Sequence, residues 1–555
     1  MYKQVLDPVG NSLGLSTIFA VIPLLVLFVL LGGLRMKAHI AALLALLAAI
    51  LVAVIVYSMP VGQALDAGLE GAAFGLFPIM WIVFTALWIY HMTEATGHFA
   101  VLRRSFGSIA DDQRVQAVII AFAFGALLEA LAGFGTPVAI TAVMLIAVGF
   151  QPMKAAAVAL VANTAPVAFG AIAIPIVTLA GLTGLPKEDL GAMVGRQTPL
   201  LALFVPLILV GMVDGMRGIR QAWPAAIVGG VAFAAGQFVC SNYISVELTD
   251  IVASLLSAGS IVLLMRVWHP TEPLRAEAGM RPRPAMAGGA VADSAFEAEA
   301  RRRSDDHRDT RGEIWAAYAP YLIIIAVFAI TQWGPIKDWL DGLGKEFDWP
   351  GLNILNTKGE APSSVTYKFN WANAAGTLLL VSGLLTMVVL RVSPGRALRL
   401  FVETVDRLKW ATLTVVSVLA LAYVMNGSAQ TITIGSWIAG AGGILGLLSP
   451  FIGWLGVAVT GSDTSSNSLF GVLQATAAKG AGIDPTLLAA ANSSGGVLGK
   501  MISPQNLAIG AAAVGLGGRE GDLLRRVLLW SVVLLLVMCV LVYLQSTSVL
   551  SWMVV

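Results

Sequence analysis

The sequence predicts an all-α polytopic membrane protein, and three observations predict it. Of its 555 residues, 57% are hydrophobic and only 12% are charged, whereas a soluble domain has about 25% charged residues. Many apolar runs approach or reach the ~20 residues that cross a bilayer as a helix. Polar breaks interrupt these runs at corresponding places in two halves of the chain. We therefore expect two repeats with discontinuous helices and re-entrant hairpins, with about 12 to 14 transmembrane helices in all.

The clearest apolar spans lie on both sides of a polar segment near the middle of the chain. They are 15–34, 38–57, 71–93 and 223–240 in the first half, and 314–333 and 527–544 in the second. The first span is not a signal peptide, because it follows Asp7 rather than a basic segment and a second apolar run follows almost at once. A lipid bilayer is therefore the expected environment.

Basic residues in short loops indicate which helix ends face the cytoplasm. They are Arg35 and Lys37; Arg103, Arg104 and Arg114; Arg217 and Arg220; Arg391, Arg396, Arg399, Arg407 and Lys409; and Arg519, Arg525 and Arg526. The connections 58–70 and 241–245 contain no Lys or Arg. One frame fits all of these segments, with both termini outside the cell.

Two polar segments organise the chain. The first half, 1–268, is followed at 269–312 by eight arginines, eight acidic residues and abundant Ala, Gly and Pro, a composition typical of a disordered linker. The charge frame places this linker in the cytoplasm. The second half, 313–555, contains an outer loop at 335–370 with four lysines and no arginine.

The remaining composition argues against other classes of partner. The net charge of +2 indicates no nucleic-acid partner. Cys240 and Cys539 lie in or beside apolar runs, and the five histidines lack the spacing of metal ligands. We therefore expect neither a metal nor another cofactor.

An internal repeat surrounds the polar breaks. "ANTAPVAFGAIAIP" aligns without a gap on "ANSSGGVLGKMISP", which sets Asn163 on Asn492, Gly170 on Gly499 and Pro175 on Pro504. Upstream of each lies a break rich in Gly and Thr, "GFGTP" and "GSDTS". The predicted break motifs are thus 129–137 and 163–175 in the first half, and 461–474 and 492–506 in the second.

Such breaks indicate a central binding site. An unsatisfied backbone group in hydrocarbon costs several kcal/mol, so a helix is interrupted only where protein or a water-filled cavity satisfies the freed groups. Matched breaks in two repeats point to a transporter's central site, and half-helix amino termini favour an anion there. The alternative is that Gly, Ser and Thr here only allow close helix packing. The candidate anion-binding residues are Thr136, Asn163, Thr164, Thr464, Ser465, Ser466, Asn467, Asn492, Ser493, Ser494, Lys500 and Gln505.

Three charged residues near the breaks have two interpretations each. Lys500 is either a fixed positive charge beside the anion or a side chain that snorkels to the interface. Glu129 and Asp463 are the candidate proton-coupling groups, because a carboxylate inside a membrane is costly when ionised. Alternatively, Glu129 hydrogen-bonds the freed amides of its hairpin and Asp463 is the N-cap of a half-helix beginning near Ser465.

At these residues the chain closely resembles the lactate permease family, which includes glycolate permeases. The matching stretches are "LEALAGFGTPVAITA", "NTAPVAFGAIAIP", "GSDTSSNSLFGVLQ", "AANSSGGVLGKMISPQ" and "GREGDLLR". The resemblance implies a secondary active transporter of the bacterial inner membrane that imports small 2-hydroxymonocarboxylates with protons. It also implies inverted repeats with hairpins. Ala130 and Leu131 depart from the family's "LEGAAGFGTP", which puts a larger side chain beside the break.

One structural alternative and three functional alternatives compete with this interpretation. If every apolar run between 410 and 447 spans the membrane, both breaks are entered from the cytoplasm and the repeats are parallel. A sodium-coupled carrier and an anion channel are the nearest functional alternatives, since unwound carbonyls and hydroxyls also hold Na⁺. "TGSD" at 460–463 is similar to the Gly-x-Gly-Asp motif of intramembrane aspartyl proteases. Thr460 and Ser462 replace both of its glycines, so we expect no enzyme.

Overall fold

The computed structural model describes residues 1–107, 109–133, 135–274, 309–331, 333–362 and 365–555. The predicted linker at 269–312 lies largely outside the described residues. The α-helices of the first half are α1 (Leu13–Ala20), α2 (Ile22–Phe28), α3 (Ala38–Ile55), α4 (Val61–Phe74), α5 (Trp81–Ala95), α6 (His98–Gly107), α7 (Gln113–Gln116), α8 (Gly125–Ala132), α9 (Thr136–Ala147), α10 (Pro152–Ala162), α11 (Gly170–Thr183), α12 (Lys187–Tyr243) and α13 (Thr249–Leu264). Those of the second half are α14 (Arg311–Thr331), α15 (Gly334–Gly342), α16 (Ala375–Val389), α17 (Pro394–Arg407), α18 (Lys409–Gly427), α19 (Gln430–Ile438), α20 (Leu445–Thr460), α21 (Asp463–Ala481), α22 (Pro485–Gly499), α23 (Pro504–Ala513) and α24 (Glu520–Gln545).

Other helical turns join these elements. π-Helical segments are Val29–Gly33, Gly75–Met80 and Ala117–Phe124, and 3₁₀ turns are Val167–Phe169, Ala439–Ile444, Lys500–Ile502 and Ser551–Met553. The strands are β1 (Tyr2–Lys3), β2 (Lys345–Asp348), β3 (Ile354–Leu355) and β4 (Thr366–Phe369).

The predicted all-α membrane architecture is confirmed. Nine helices among the described residues are long and apolar enough to cross a membrane, or ten if the bent pair α10 and α11 is one span. The predicted number of 12 to 14 is larger for a physical reason. α12 has 57 residues with non-helical Asp214 and Gly215 inside it, and its length exceeds two bilayer thicknesses at ~1.5 Å per residue. α13 and α16 are apolar but have only 16 and 15 residues, fewer than the ~20 that cross a bilayer as a helix.

One end of the molecule, here called the amino-terminal end, is tied together by β1. Tyr2 and Lys3 pair in parallel with Ile354 and Leu355 of the predicted outer loop. The Tyr2 hydroxyl also donates to the backbone oxygens of Tyr57 and Ser428. The amino terminus, the outer loop and the ends of α3 and α18 therefore lie on the same side of the molecule.

The opposite end, here called the basic end, collects the arginine-rich connections. His39 stacks on Trp410, which brings the starts of α3 and α18 together. Arg396 donates to the backbone oxygen of Ala95 at the end of α5. Arg114 pairs with Asp112 at 2.6 Å and with Asp214 at 3.2 Å. The contacts of His39 and Arg396 thus join basic connections from the two halves of the chain.

The two hairpins enter from opposite ends. One arm of hairpin 1 consists of α7, the following π-helical segment and α8, and the other arm is α9. The open end of hairpin 1 lies at the basic end, where Gln113 donates to the Val148 backbone oxygen. α20 and α21 form hairpin 2. Its open end lies at the amino-terminal end, because the preceding α19 donates from Thr433 to the Leu6 backbone oxygen. Inverted repeats would produce this arrangement, and α19, with nine residues, is too short to cross a bilayer on its own.

Two further spans are broken. α10 and α11 meet at a 64° bend across Asn163–Pro166 and a 3₁₀ turn. α22 and α23 are separated by the 3₁₀ turn Lys500–Ile502 and by Ser503. The second break therefore lies at Lys500, and Asn492 lies inside α22. The aligned asparagines Asn163 and Asn492 have different backbone environments for this reason.

Candidate functional site

All four breaks meet in one cavity. Hairpin 1 contributes Glu129 and Gly133, and hairpin 2 contributes the turn 460–465. The broken spans add the start of α11 on one side and Lys500, Gln505 and Asn506 on the other. The cavity extends to Ala38 and Ala411, in the first turns of α3 and α18, and so it approaches the basic end of the molecule.

A buried ion pair joins the two halves at this cavity. Lys500 Nζ lies 2.6 Å from Glu129 Oε1, and only 7% of Lys500 and 3% of Glu129 are exposed. The second carboxylate oxygen, Glu129 Oε2, accepts a hydrogen bond of 2.9 Å from Asn163 Nδ2. Lys500 therefore does not snorkel to the interface, and Glu129 does not cap its hairpin.

Small residues make room for this carboxylate. A Cβ at Gly170 would lie 2.9 Å from Glu129 Oε1, and one at Gly133 would lie 3.3 Å from the same atom. Both contacts are closer than carbon and oxygen tolerate without movement. The glycines at these breaks therefore leave space for the Glu129 carboxylate.

Asp463 is the second buried carboxyl group of the cavity. Its Oδ2 accepts a hydrogen bond of 2.5 Å from Ser493 Oγ. Within the described part of the chain its Oδ1 has no hydrogen-bond partner. Ser462, not Asp463, is the N-cap of α21, since its side chain accepts from the Ser465 amide. Asp463 therefore faces the cavity without a capping role.

The tips of the two hairpins are built alike. Gly135 and Gly461 both have left-handed backbone conformations, with φ of 84° and 76°, which glycine adopts without a steric penalty. A Cβ at Gly135 would contact Ile509 and Asn506, and one at Gly461 would contact Gln505. Both tips therefore rest on the first turns of α23.

The structure distributes the predicted anion-binding residues over three environments. Four of them line the cavity, namely Thr464, Ser465, Lys500 and Gln505. Asn163 does not line the cavity, and its side-chain amide donates a hydrogen bond to Glu129. Thr164 donates to the Val161 backbone oxygen, and Thr136 is the first residue of α9, away from the cavity lining.

The others form a packing network that joins α20, α21, α22 and α11. Asn492 Nδ2 donates to Asn467 Oδ1 at 2.9 Å, and Asn467 Nδ2 donates to the Pro175 backbone oxygen at 3.1 Å. Ser466 donates to the Gly453 backbone oxygen, and Ser493 donates to Asp463. Ser494 is buried, with no partner for its hydroxyl among the described residues. These polar groups are satisfied largely by one another, which reflects close helix packing more than an open site.

Contributions to the cavity from α18 and α23 were missed. Thr414 and Val415 of α18 line it, as does Asn506 of α23. α18 reads as an ordinary apolar span, so no local pattern marks Thr414. Asn506 lies only one residue from the predicted Gln505, and proximity to the break was the available signal.

Comparison with known proteins adds the family. The family model described as L-lactate permease matches residues 16–549. The chain belongs to the L-lactate permease family. An L-lactate permease of Bacillus subtilis is 40% identical over the whole of both chains. The glycolate permease GlcA of Escherichia coli is 40% identical over 98% of each.

Two solved structures show weaker likeness. The Alcanivorax borkumensis YdaH transporter matches with a TM-score of 0.47 and 15% identity, covering 86% of both chains. Neisseria gonorrhoeae MtrF matches with a TM-score of 0.46 and 15% identity, covering 87% of this chain and 84% of its own.

Family membership makes the chain a permease and not an enzyme, as the sequence predicts. It also makes the chain a multi-pass membrane protein. The departure at Ala130 and Leu131 has little direct effect on the cavity of this permease, because both side chains are buried and neither lines it.

Proposed function

We propose that this permease imports lactate and glycolate by proton symport across the bacterial plasma membrane. The observation that supports this most is the Glu129–Lys500 ion pair on the cavity wall. A cation inside a membrane attracts a small carboxylate, and the relatives of this chain include an L-lactate permease of Bacillus subtilis and the glycolate permease GlcA of Escherichia coli. A carrier must also release its cargo, and Thr464, Ser465 and Gln505 are neutral groups suited to weak binding of the substrate's hydroxyl and carboxylate oxygens.

Coupling follows from competition for one cation. An ammonium group has three N–H donors, and Lys500 gives one to Glu129. When a substrate carboxylate binds Lys500 from the cavity, the two anions share one positive charge. The carboxylate of Glu129 then loses part of its stabilisation, and binding a proton there restores electrical balance. Anion and proton binding thereby favour each other, because the coupling free energy is reciprocal.

The cavity is assigned to the cytoplasmic side in this proposal. It reaches the first turns of α3 and α18, beside Lys37 and Lys409. Since basic loops are cytoplasmic, the cavity corresponds to an inward-facing state with both termini outside. Asp463, which also faces the cavity, is the second candidate for a proton released to the cytoplasm.

Uptake into proteoliposomes tests the proposed function. Radiolabelled lactate is offered with an imposed pH gradient, with an imposed sodium gradient, and with neither, and unlabelled glycolate serves as competitor. We expect accumulation against the lactate gradient only when protons are driven inward, and we expect competition by glycolate. Accumulation driven by sodium alone would assign sodium coupling instead. Equilibration without accumulation under every gradient would indicate a channel.

A further inference from the structure

A third buried carboxyl group lies outside the cavity, near the start of α13. Asp250 is fully buried, with 0% exposure. Its Oδ1 accepts one hydrogen bond of 3.2 Å, from Gln237 Nε2. Its Oδ2 has no partner within the described ranges, and no Lys, Arg or His there pairs with it. A membrane-embedded carboxyl group without a cation is costly as an anion, and helix packing alone does not require it.

A hydrogen-bonded path connects Asp250 to the first broken span. Gln237 Nε2 donates both to Asp250 Oδ1 and to the Ala165 backbone oxygen, each at 3.2 Å. Thr198 donates to Gln237 Oε1 at 3.1 Å and so fixes the orientation of the amide. Ala165 lies in the same break as Asn163, whose amide donates to Glu129. The carboxyl groups of Glu129 and Asp250 therefore lie on opposite sides of one break.

The position of Asp250 is on the side away from the cavity opening. It follows the turn 244–248, in which Glu247 accepts from Lys187 at 2.6 Å. This turn belongs to a connection without basic residues, which the charge frame places outside. The titratable groups close to Asp250 on neighbouring elements are Glu129 of α8 and Cys240 of α12, and Glu247 of the turn also lies near Cys240. No lysine is among these groups.

We propose that Asp250 is a second proton-binding site of the transport cycle, which takes a proton from the outer side and passes it to Glu129. The O–H bond breaks at Asp250 and forms at Glu129, so the summed charge of the two carboxyl groups is unchanged. Gln237 is a positioning residue, because an amide N–H is too weakly acidic to pass on a proton. Transfer between the two carboxyl groups therefore requires water between them. This proposal rests on proton symport as the proposed function.

Asp250→Asn is the primary test, because an amide oxygen still accepts from Gln237 while the proton-binding group is lost. In proteoliposomes we expect at least a tenfold loss of pH-driven lactate accumulation, with lactate counterflow retained. Infrared spectroscopy of the purified protein should also lose a carbonyl band of a protonated carboxylic acid. Asp522→Asn removes an exposed acid paired with Arg519 and serves as the matched control, with neither readout changed.

Other variants keep the outcome decisive. Asp250→Glu retains a carboxyl group and should retain accumulation with a shifted pH profile. If Asp250→Asn lacks counterflow, the Asp250→Glu pH profile decides: an unshifted profile overturns the proposal and a shifted one supports it. Normal accumulation in Asp250→Asn would overturn the proposal while leaving symport intact. If wild-type protein fails to accumulate lactate on a pH gradient, the proposed function itself is wrong.

Discussion

At the scale of single residues, the most informative contact is the ion pair between Glu129 and Lys500. Removing one partner of a buried pair leaves an uncompensated charge and costs about 3–5 kcal/mol, whereas removing both together often costs much less. The two residues come from different halves of the chain and are 371 positions apart. Their pairing therefore makes specific predictions about stability as well as transport.

The first prediction concerns that pair. Lys500→Ala should abolish measurable lactate binding and lower thermal stability by several degrees, because it leaves Glu129 buried and unpaired. The double variant Lys500→Ala with Glu129→Gln should regain most of the stability but none of the binding. Thermal unfolding in detergent with and without lactate measures both effects. Equal stability of the single and double variants would contradict a buried ion pair.

The second prediction separates the proton-coupling carboxyl groups from structural ones. Glu129→Gln and Asp463→Asn should each lose pH-driven accumulation and keep lactate counterflow, since a neutral amide preserves the shape of the site but binds no proton. Glu403→Gln, which changes an exposed acid of α17, is the control and should behave as wild type. If both site variants still concentrate lactate on a pH gradient, neither carboxyl group is the coupling site.

The third prediction distinguishes the two aligned asparagines. Asn163→Ala removes the hydrogen bond to Glu129 and should weaken lactate affinity at nearly normal stability. Asn492→Ala removes hydrogen bonds inside the α21–α22 contact and should lower stability with little change in affinity. Binding isotherms and thermal unfolding of the two variants provide the comparison. If Asn492→Ala instead weakened lactate affinity and Asn163→Ala instead lowered stability, Asn492 would be a substrate-binding residue.

At the scale of elements, glycines set how closely α20 and α22 approach. A Cβ at Gly453 would overlap the Asn492 backbone oxygen, and one at Gly495 would overlap the Pro450 backbone oxygen. Small residues at helix contacts are the usual means of close approach in membranes. The same contact supports hairpin 2 from behind, so its packing positions the turn 460–465 in the cavity.

The fourth prediction follows from this contact. Gly453→Ala should destabilise the permease by about 1–3 kcal/mol, the usual cost of overpacking, and should reduce transport by displacing hairpin 2. Gly443→Ala is the matched control, because a Cβ there meets nothing within 4 Å. Thermal unfolding and initial uptake rates measure the two consequences. A Gly453→Ala variant as stable as Gly443→Ala would mean that α20 and α22 are less closely packed.

At the scale of the whole molecule, the two hairpins enter from opposite ends and meet the two broken spans at one cavity. The cavity approaches the basic end, and its lining includes no residue of β1 or β3, which pair at the amino-terminal end. This asymmetry predicts which side has access to the site when no gradient is applied.

The fifth prediction tests that access. Thr414→Cys, on the cavity wall, should react with a membrane-impermeant thiol reagent from the cytoplasmic side and be protected by lactate. Thr357→Cys, in the exposed outer loop, should react only from outside and without protection. Cys240 and Cys539 are buried and are replaced by alanine in the background protein. Labelling of Thr414→Cys from outside would reverse the assigned orientation.

Local sequence features are sufficient to predict the membrane class, the family and the candidate residues Glu129, Asp463 and Lys500. Hydropathy depends on local composition, and the polar breaks stand out against it, so both are readable along the chain. The position of the second break is not readable in this way, because Asn492 aligns with Asn163 although α22 continues to Gly499.

The contacts that the candidate residues make depend on the tertiary fold. The fold places Lys500 beside Glu129, makes Ser462 the N-cap of α21, and brings Asn467 and Asn492 together in the contact between α21 and α22. It also revealed Asp250, whose partner Gln237 belongs to a different helix. Composition and helix length are local properties of a sequence, whereas the partner of a buried charge depends on which distant segments the fold brings within a few ångströms.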